Sequence, residues 1–137
     1  MAPAEVMPVD TDMRQCIEEC LACHRACLET LTYCLEQGGE HAEAKHLRLL
    51  MDCAEMCQTG ASFMLRGSEL QTRTCFACSE VCARCAESCA RLGRDPRMKA
   101  CADLCARCSE SCWRMGGGVM PQTPNPEAAQ RAADLPA

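Results

Sequence analysis

The stretch CFACSEVCARCAESC, running from Cys75 to Cys89, holds its cysteines at spacings of 3, 4, 3 and 4. That rhythm constrains the chain more than any other feature. At about 100° per residue the five thiols fall within an arc of about 80°, a single stripe along one helix. The rhythm recurs. Cys16, Cys20, Cys23 and Cys27 follow Met13, with Leu31 read as the next slot and Cys34 after it. Cys101, Cys105, Cys108 and Cys112 run between Met98 and Met115. A sparser stripe carries Cys53 and Cys57, with His46 seven residues before and Met64 seven after. CIEECLACHRAC, CARCAESC and CADLCARCSESC are variants of one helical theme.

Punctuation divides these stripes into four helices. The first starts at Asp10 or Thr11 and stops at Gly38-Gly39. The second runs from Glu40 to Arg66, with Gly67 as its stop. The third opens with SELQ, where Ser68 and Gln71 have capping-box spacing, and ends at Leu92-Gly93. The fourth opens with Asp95 as N-cap and Pro96 at the first helical position, and ends in the glycines from Gly116 to Gly118. Short connections between long helices force antiparallel neighbours. The expected fold is therefore all-α, an antiparallel up-down-up-down four-helix bundle over residues 11–116 with a cysteine-lined core. Residues 1–10 and the proline-rich tail 117–137 read as flexible.

Stripes of this kind occupy the a and d positions that a bundle turns inward. Leucine, isoleucine or valine would ordinarily stand there. With 16 Cys and 9 Met but only 3% aromatic residues in 137, sulfur must fill the interior instead. The net charge of -5 argues against nucleic acid or an anionic membrane as partner. No apolar run reaches the length of a membrane span. The N-terminus, MAPAEVMPVDTDMRQ, lacks the basic and apolar regions of a signal peptide, which points to the cytoplasm. In that reducing compartment many thiols indicate metal or redox chemistry.

Several chemistries compete for a sulfur-lined core. An inert core would use larger side chains, which fill volume better. Disulfides suit an oxidising compartment and are not needed to hold four long helices. An iron-sulfur electron carrier would place its cysteines on a wrapping loop, not at helical spacing. Zinc, or a mixed soft-metal detoxification role, asks for four ligands per ion and leaves each tetrathiolate site with a net charge of about -2. Copper(I) prefers thiolate and thioether sulfur, accepts two or three ligands, and forms no net charge at one ion per thiolate. Three histidines with no clear acidic partner form no catalytic triad, so the chain is not read as an enzyme.

The helical rows CIEECLACHRAC, CFACSEVCARCAESC and CADLCARCSESC, with CAEMC on the second helix, resemble the bacterial copper storage proteins over Asp12 to Met115. The resemblance implies a homotetramer that fills each bundle with many Cu(I) ions held by Cys-x3-Cys pairs. In this sequence those are Cys16/Cys20, Cys23/Cys27, Cys53/Cys57, Cys78/Cys82, Cys85/Cys89, Cys101/Cys105 and Cys108/Cys112, with Cys34 and Cys75 as cross-helix partners. It also implies Met or His at an open end of the bundle. Antiparallel order gathers Cys34, His41, His46, Cys89, Met98 and Cys101 at one end, and His41, His46 and Met98 are the ligands expected where copper enters. The opposite end gathers Met13, Cys16, Met64, Cys75, Cys112 and Met115, with Phe63, Phe76 and Trp113 as a plug. His24 stands beside its row, interfacial or solvated. Leu21, Leu28, Leu47 and Leu50 read as exposed and permit association.

Overall fold

The computed structural model describes residues 11–117, and the expectations for residues 1–10 and 118–137 lie outside them. Four helices make up the bundle: α1 (Thr11–Gln37), α2 (Ala44–Leu65), α3 (Gln71–Ala90) and α4 (Pro96–Met115). Consecutive helices pack against each other, and α1 closes the ring on α4. The up-down-up-down arrangement is the one the short connections require. Among the described residues no helix is long and apolar enough to cross a membrane.

The connections depart from expectation in two places. The second helix begins at Ala44, not Glu40. Gly38 and Gly39 take positive φ values of 69° and 57°, which turn the chain, and a 3₁₀ turn over Gly39–Ala42 crosses the end of the bundle before α2 starts. The third helix begins at Gln71 without a capping box. α2 closes in a Schellman arrangement: Ser68 N–H bonds to Phe63 O and Gly67 N–H to Met64 O, with Gly67 at φ 65°. Ser68 is thus still leaving α2, and its Oγ accepts from Leu70 N–H at 3.1 Å. The Asp95 cap forms as its local chemistry dictates, with Oδ1 accepting from Arg97 N–H at 2.9 Å and Pro96 opening α4.

All 16 cysteines are buried and free. Leu50 is fully buried among them, against the expectation of exposure, and Leu47 is partly buried. Leu50 stands three residues before Cys53 and four after His46, on the inward stripe of α2. The slot between Cys27 and Cys34 likewise belongs to Thr30, which is buried, and not to Leu31, which is only partly so. A step of three from Cys27 continues the 3-4 alternation, as 3.6 residues per turn requires.

Candidate metal centre

Apart from Cys34, the thiols form a connected column through the bundle. Its middle is a ladder of five rungs: Cys27/Cys105 at 3.7 Å, Cys23/Cys53 at 3.7 Å, Cys57/Cys82 at 3.4 Å, Cys78/Cys108, and Cys20/Cys112 at 3.5 Å between Sγ atoms. Rungs are joined along single helices by Cys23–Cys27 at 3.9 Å, Cys53–Cys57 at 4.0 Å, Cys78–Cys82 at 3.7 Å and Cys108–Cys112 at 4.0 Å. Contacts between helices are as short as those within them. The expected Cys-x3-Cys pairs are therefore adjacent, but each is also fused sideways to its neighbours.

Beyond the ladder the column continues at both ends. Cys85 lies 3.8 Å from Cys105, Cys101 lies against Cys105, Cys27 and Cys89, and Thr30 packs beside Cys101. At the other end Cys16 lies 3.7 Å from Cys112 and contacts Cys75. Met64 is buried there, and Met13 and Met115 pack partly buried against the core. Phe76 and Trp113 meet at a tilt of 45° with centroids 5.1 Å apart, while Phe63 lies under the Arg66 guanidinium.

Cys34, His46 and Met98 meet at the first end. Cys34 Sγ is 3.5 Å from His46 Nε2 and 3.6 Å from Met98 Sδ, and all three side chains are fully buried. His46 Nδ1 lies 2.7 Å from Ser88 Oγ, which also accepts from Arg91 Nη2 at 3.3 Å. Burial first, and the Arg91 charge second, hold His46 below its ordinary pKa, so the imidazole stays neutral. Burial, followed by the neighbouring Cys101 and Asp95, pushes the Cys34 thiol up to about 11. Further along, hydrogen bonds from Cys108 and Cys112 draw Cys20 far below the usual thiol range, while Cys112 is raised by Cys108, Cys16 and Cys20. Thiols in mutual contact thus move one another's titration in opposite directions, while burial resists the thiolate at both.

His41, at the same end, is engaged by Asp95 instead. Its Nε2 is 3.2 Å from Asp95 Oδ2, the oxygen to which Tyr33 OH also donates. Its ring meets Tyr33 edge-on, and Arg97 lies over the other partner, the Tyr33 ring, at 4.8 Å. These contacts tie the 3₁₀ turn to α1 and α4. His24 is interfacial, with Nδ1 2.7 Å from Ala54 O on α2. Ser88, Arg91 and the second role of Asp95 were not singled out by the sequence pattern. Only the inter-helix register brings Ser88 to His46, and Asp95 announced itself as a cap alone.

A helical bundle whose interior is a ladder of thiols is a ligand set for soft metal ions. The copper storage protein family matches residues 9–117, and the chain belongs to that family. A crystal structure of a Nitrosospira multiformis protein is 44% identical, with a TM-score of 0.75 over 80% of this chain and 99% of that one. The Cu(I)-bound copper storage protein BsCsp3 of Bacillus subtilis is 31% identical, with a TM-score of 0.72 over 77% of this chain and 99% of that one. The cysteine-rich protein YhjQ of Bacillus subtilis is 33% identical over 66 residues, 48% of this chain, and the match spans 61% of its own length.

Proposed function

We propose that this chain stores Cu(I) in the cytoplasm, taking up on the order of one ion per thiol and keeping copper from other thiol proteins. The observation that carries this reading is the sulfur-lined interior, in which all 16 cysteines are buried and free. Each uptake exchanges a thiol proton for Cu(I), leaving a neutral copper–thiolate and one released proton. Neutrality lets an apolar core accept many ions without the cost of buried net charge. Because the ligands are reduced thiolates, the reading places the protein in a reducing compartment.

Cys34, His46 and Met98 are the set on which copper first lands. With His46 Nδ1–H donating to Ser88 Oγ, Nε2 directs its lone pair toward Cys34 Sγ, which in turn meets Met98 Sδ. Cys89 and Cys101 carry the ion to the ladder. His41 acts on this path through the strap it forms with Asp95 across the end of the bundle.

The chain assembles as a homotetramer in this reading. A second heptad stripe on α1, offset by one residue from the cysteines, runs through Ile17, Leu21, His24, Leu28, Leu31 and Leu35. Leu21, Leu28 and Leu35 are 42%, 43% and 57% exposed, a seam suited to another copy.

An anaerobic Cu(I) titration of reduced protein against a chromophoric chelator, with thiols counted in parallel, tests the storage reading. Tight uptake close to the thiol count is the expected result. Saturation at one or two ions would overturn it.

A further inference from the structure

The rungs of the ladder do more than line up. Each successive pair of rungs makes one group of four thiols lying within 4.8 Å of one another, and there are four such groups. Neighbouring groups share a rung. Within the group of Cys57, Cys78, Cys82 and Cys108, four of the six separations are 3.4, 3.7, 3.7 and 3.8 Å, and the other two lie within 4.8 Å. Four sulfurs arranged tetrahedrally about an ion at a metal–sulfur distance of 2.3 Å are about 3.8 Å apart. The cage already has the size a four-coordinate ion needs.

We propose that the reduced bundle also binds divalent, four-coordinate soft ions of the zinc and cadmium class, two per chain, in alternate cages of the ladder. This inference concerns a different ion class and stands apart from the copper reading. The balance at each cage is one M²⁺ taken up by four thiols, with four protons released and an M(SR)₄²⁻ centre formed. Two ions in adjacent cages would face each other across one shared rung, so charge repulsion favours cages with no rung in common. With four cages in a row, two is the largest number that share none. The net negative charge left in the core weakens binding relative to the neutral Cu(I) thiolates. Copper therefore displaces the divalent ion.

The shared rungs give the proposal a distinctive signature. Removing Cys53 abolishes two adjacent cages at one end of the row, and the two that remain share Cys78 and Cys108. Removing Cys57 abolishes the two middle cages, and the two that remain are separate. Cys53→Ala therefore lowers the capacity from two ions to one, while Cys57→Ala leaves it at two. The double variant Cys53→Ala/Cys78→Ala touches all four cages and binds none. Copper capacity, by contrast, falls by about one ion in either single variant, since each loses one thiolate.

The experiment is an anaerobic Co²⁺ titration of full-length, thiol-counted apoprotein, with Co²⁺ as the spectroscopic probe for Zn²⁺ and circular dichroism on each variant. The expected result is the absorption of tetrahedral tetrathiolate cobalt, saturating at two per chain and bleached by Cu(I). Absence of that absorption, another end point, or equal loss in Cys53→Ala and Cys57→Ala overturns the proposal. A parallel Cu(I) titration separates the two readings: full copper uptake without cobalt binding defeats this inference alone.

Discussion

Cys57 Sγ lies 3.4 Å from Cys82 Sγ on the neighbouring helix, nearer than its own-helix partner Cys53 at 4.0 Å. Sulfur contacts between α2 and α3 are thus no looser than those made by a Cys-x3-Cys pair. In the proposed storage reading, ions taken up here are shared across the helix interface. Contacting residues behave non-additively, whereas distant ones add. In Cys57→Ala/Cys82→Ala the loss in free energy of Cu(I) binding should differ from the sum of the two single losses. Cys57→Ala/Cys34→Ala, in which Cys34 lies apart from the column, should be additive. Competitive titration of the unsubstituted chain and the five variants measures both, and additivity in the first pair would mean that Cys57 and Cys82 serve separate ions.

The His46–Ser88 contact makes a stability prediction. His46 is fully buried and Ser88 nearly so, and Nδ1 has Ser88 Oγ at 2.7 Å. Ser88→Ala leaves that ring nitrogen without its partner, at a cost of about 1–3 kcal/mol. Urea unfolding of the apoprotein reads the loss directly. Ser88→Thr keeps the hydroxyl and should recover part of it. If alanine and threonine destabilise equally, volume and not the hydrogen bond explains the effect.

The same histidine sets a pH dependence. Burial and Arg91 lower its pKa in the folded chain, so the unfolded chain binds the proton more readily. Stability from neutral His46 is complete above the unfolded value, near pH 6.5, and declines as pH falls from there through the folded pKa. Apoprotein unfolded in urea at a series of pH values should show this decline, and His46→Gln should flatten it. An unchanged slope in the variant would assign the acid sensitivity to another group.

The helical phase of the cysteines was legible because a 3-4 rhythm has one geometric meaning. Leu50 could have been read from the same phase, since it continues the stripe of His46, Cys53 and Cys57. Asp95 and Pro96 were legible because a cap depends on adjacent residues alone. Ser68 and Gln71 were not: their spacing was right, but the Schellman turn closing α2 had already engaged Ser68. Ser88 and Arg91 were hidden for a different reason. Their contact with His46 depends on how α2 and α3 are offset, which neither helix encodes by itself.

The strap across the first end should govern rate and not capacity. His41 holds the 3₁₀ turn to Asp95 at 3.2 Å, while Cys34, His46 and Met98 lie fully buried. On the proposed loading path, copper reaches these buried ligands when this end opens. His41→Ala unties one contact and should speed Cu(I) loading several-fold in stopped-flow measurements, with final stoichiometry unchanged. His46→Ala removes a landing ligand and should slow loading. If His41→Ala slows it as well, His41 is itself a ligand on the path.

Gly60 offers the opposite kind of change, a stabilising one inside the column. It is buried within α2, where glycine costs up to about 1 kcal/mol relative to alanine through backbone entropy. A Cβ placed there would meet Cys78 Cβ and Sγ at 3.8 Å, ordinary van der Waals contact with no backbone atom in the way. Gly60→Ala should therefore raise the unfolding free energy of the apoprotein by about 0.5–1 kcal/mol. The added methyl touches the Cys78 sulfur without displacing it, so the number of Cu(I) ions bound should stay the same. Denaturant midpoints measured before and after loading test both halves. A gain in apoprotein stability joined to a loss of copper capacity would mean that Cys78 must swing through the space above Gly60 to take its ion.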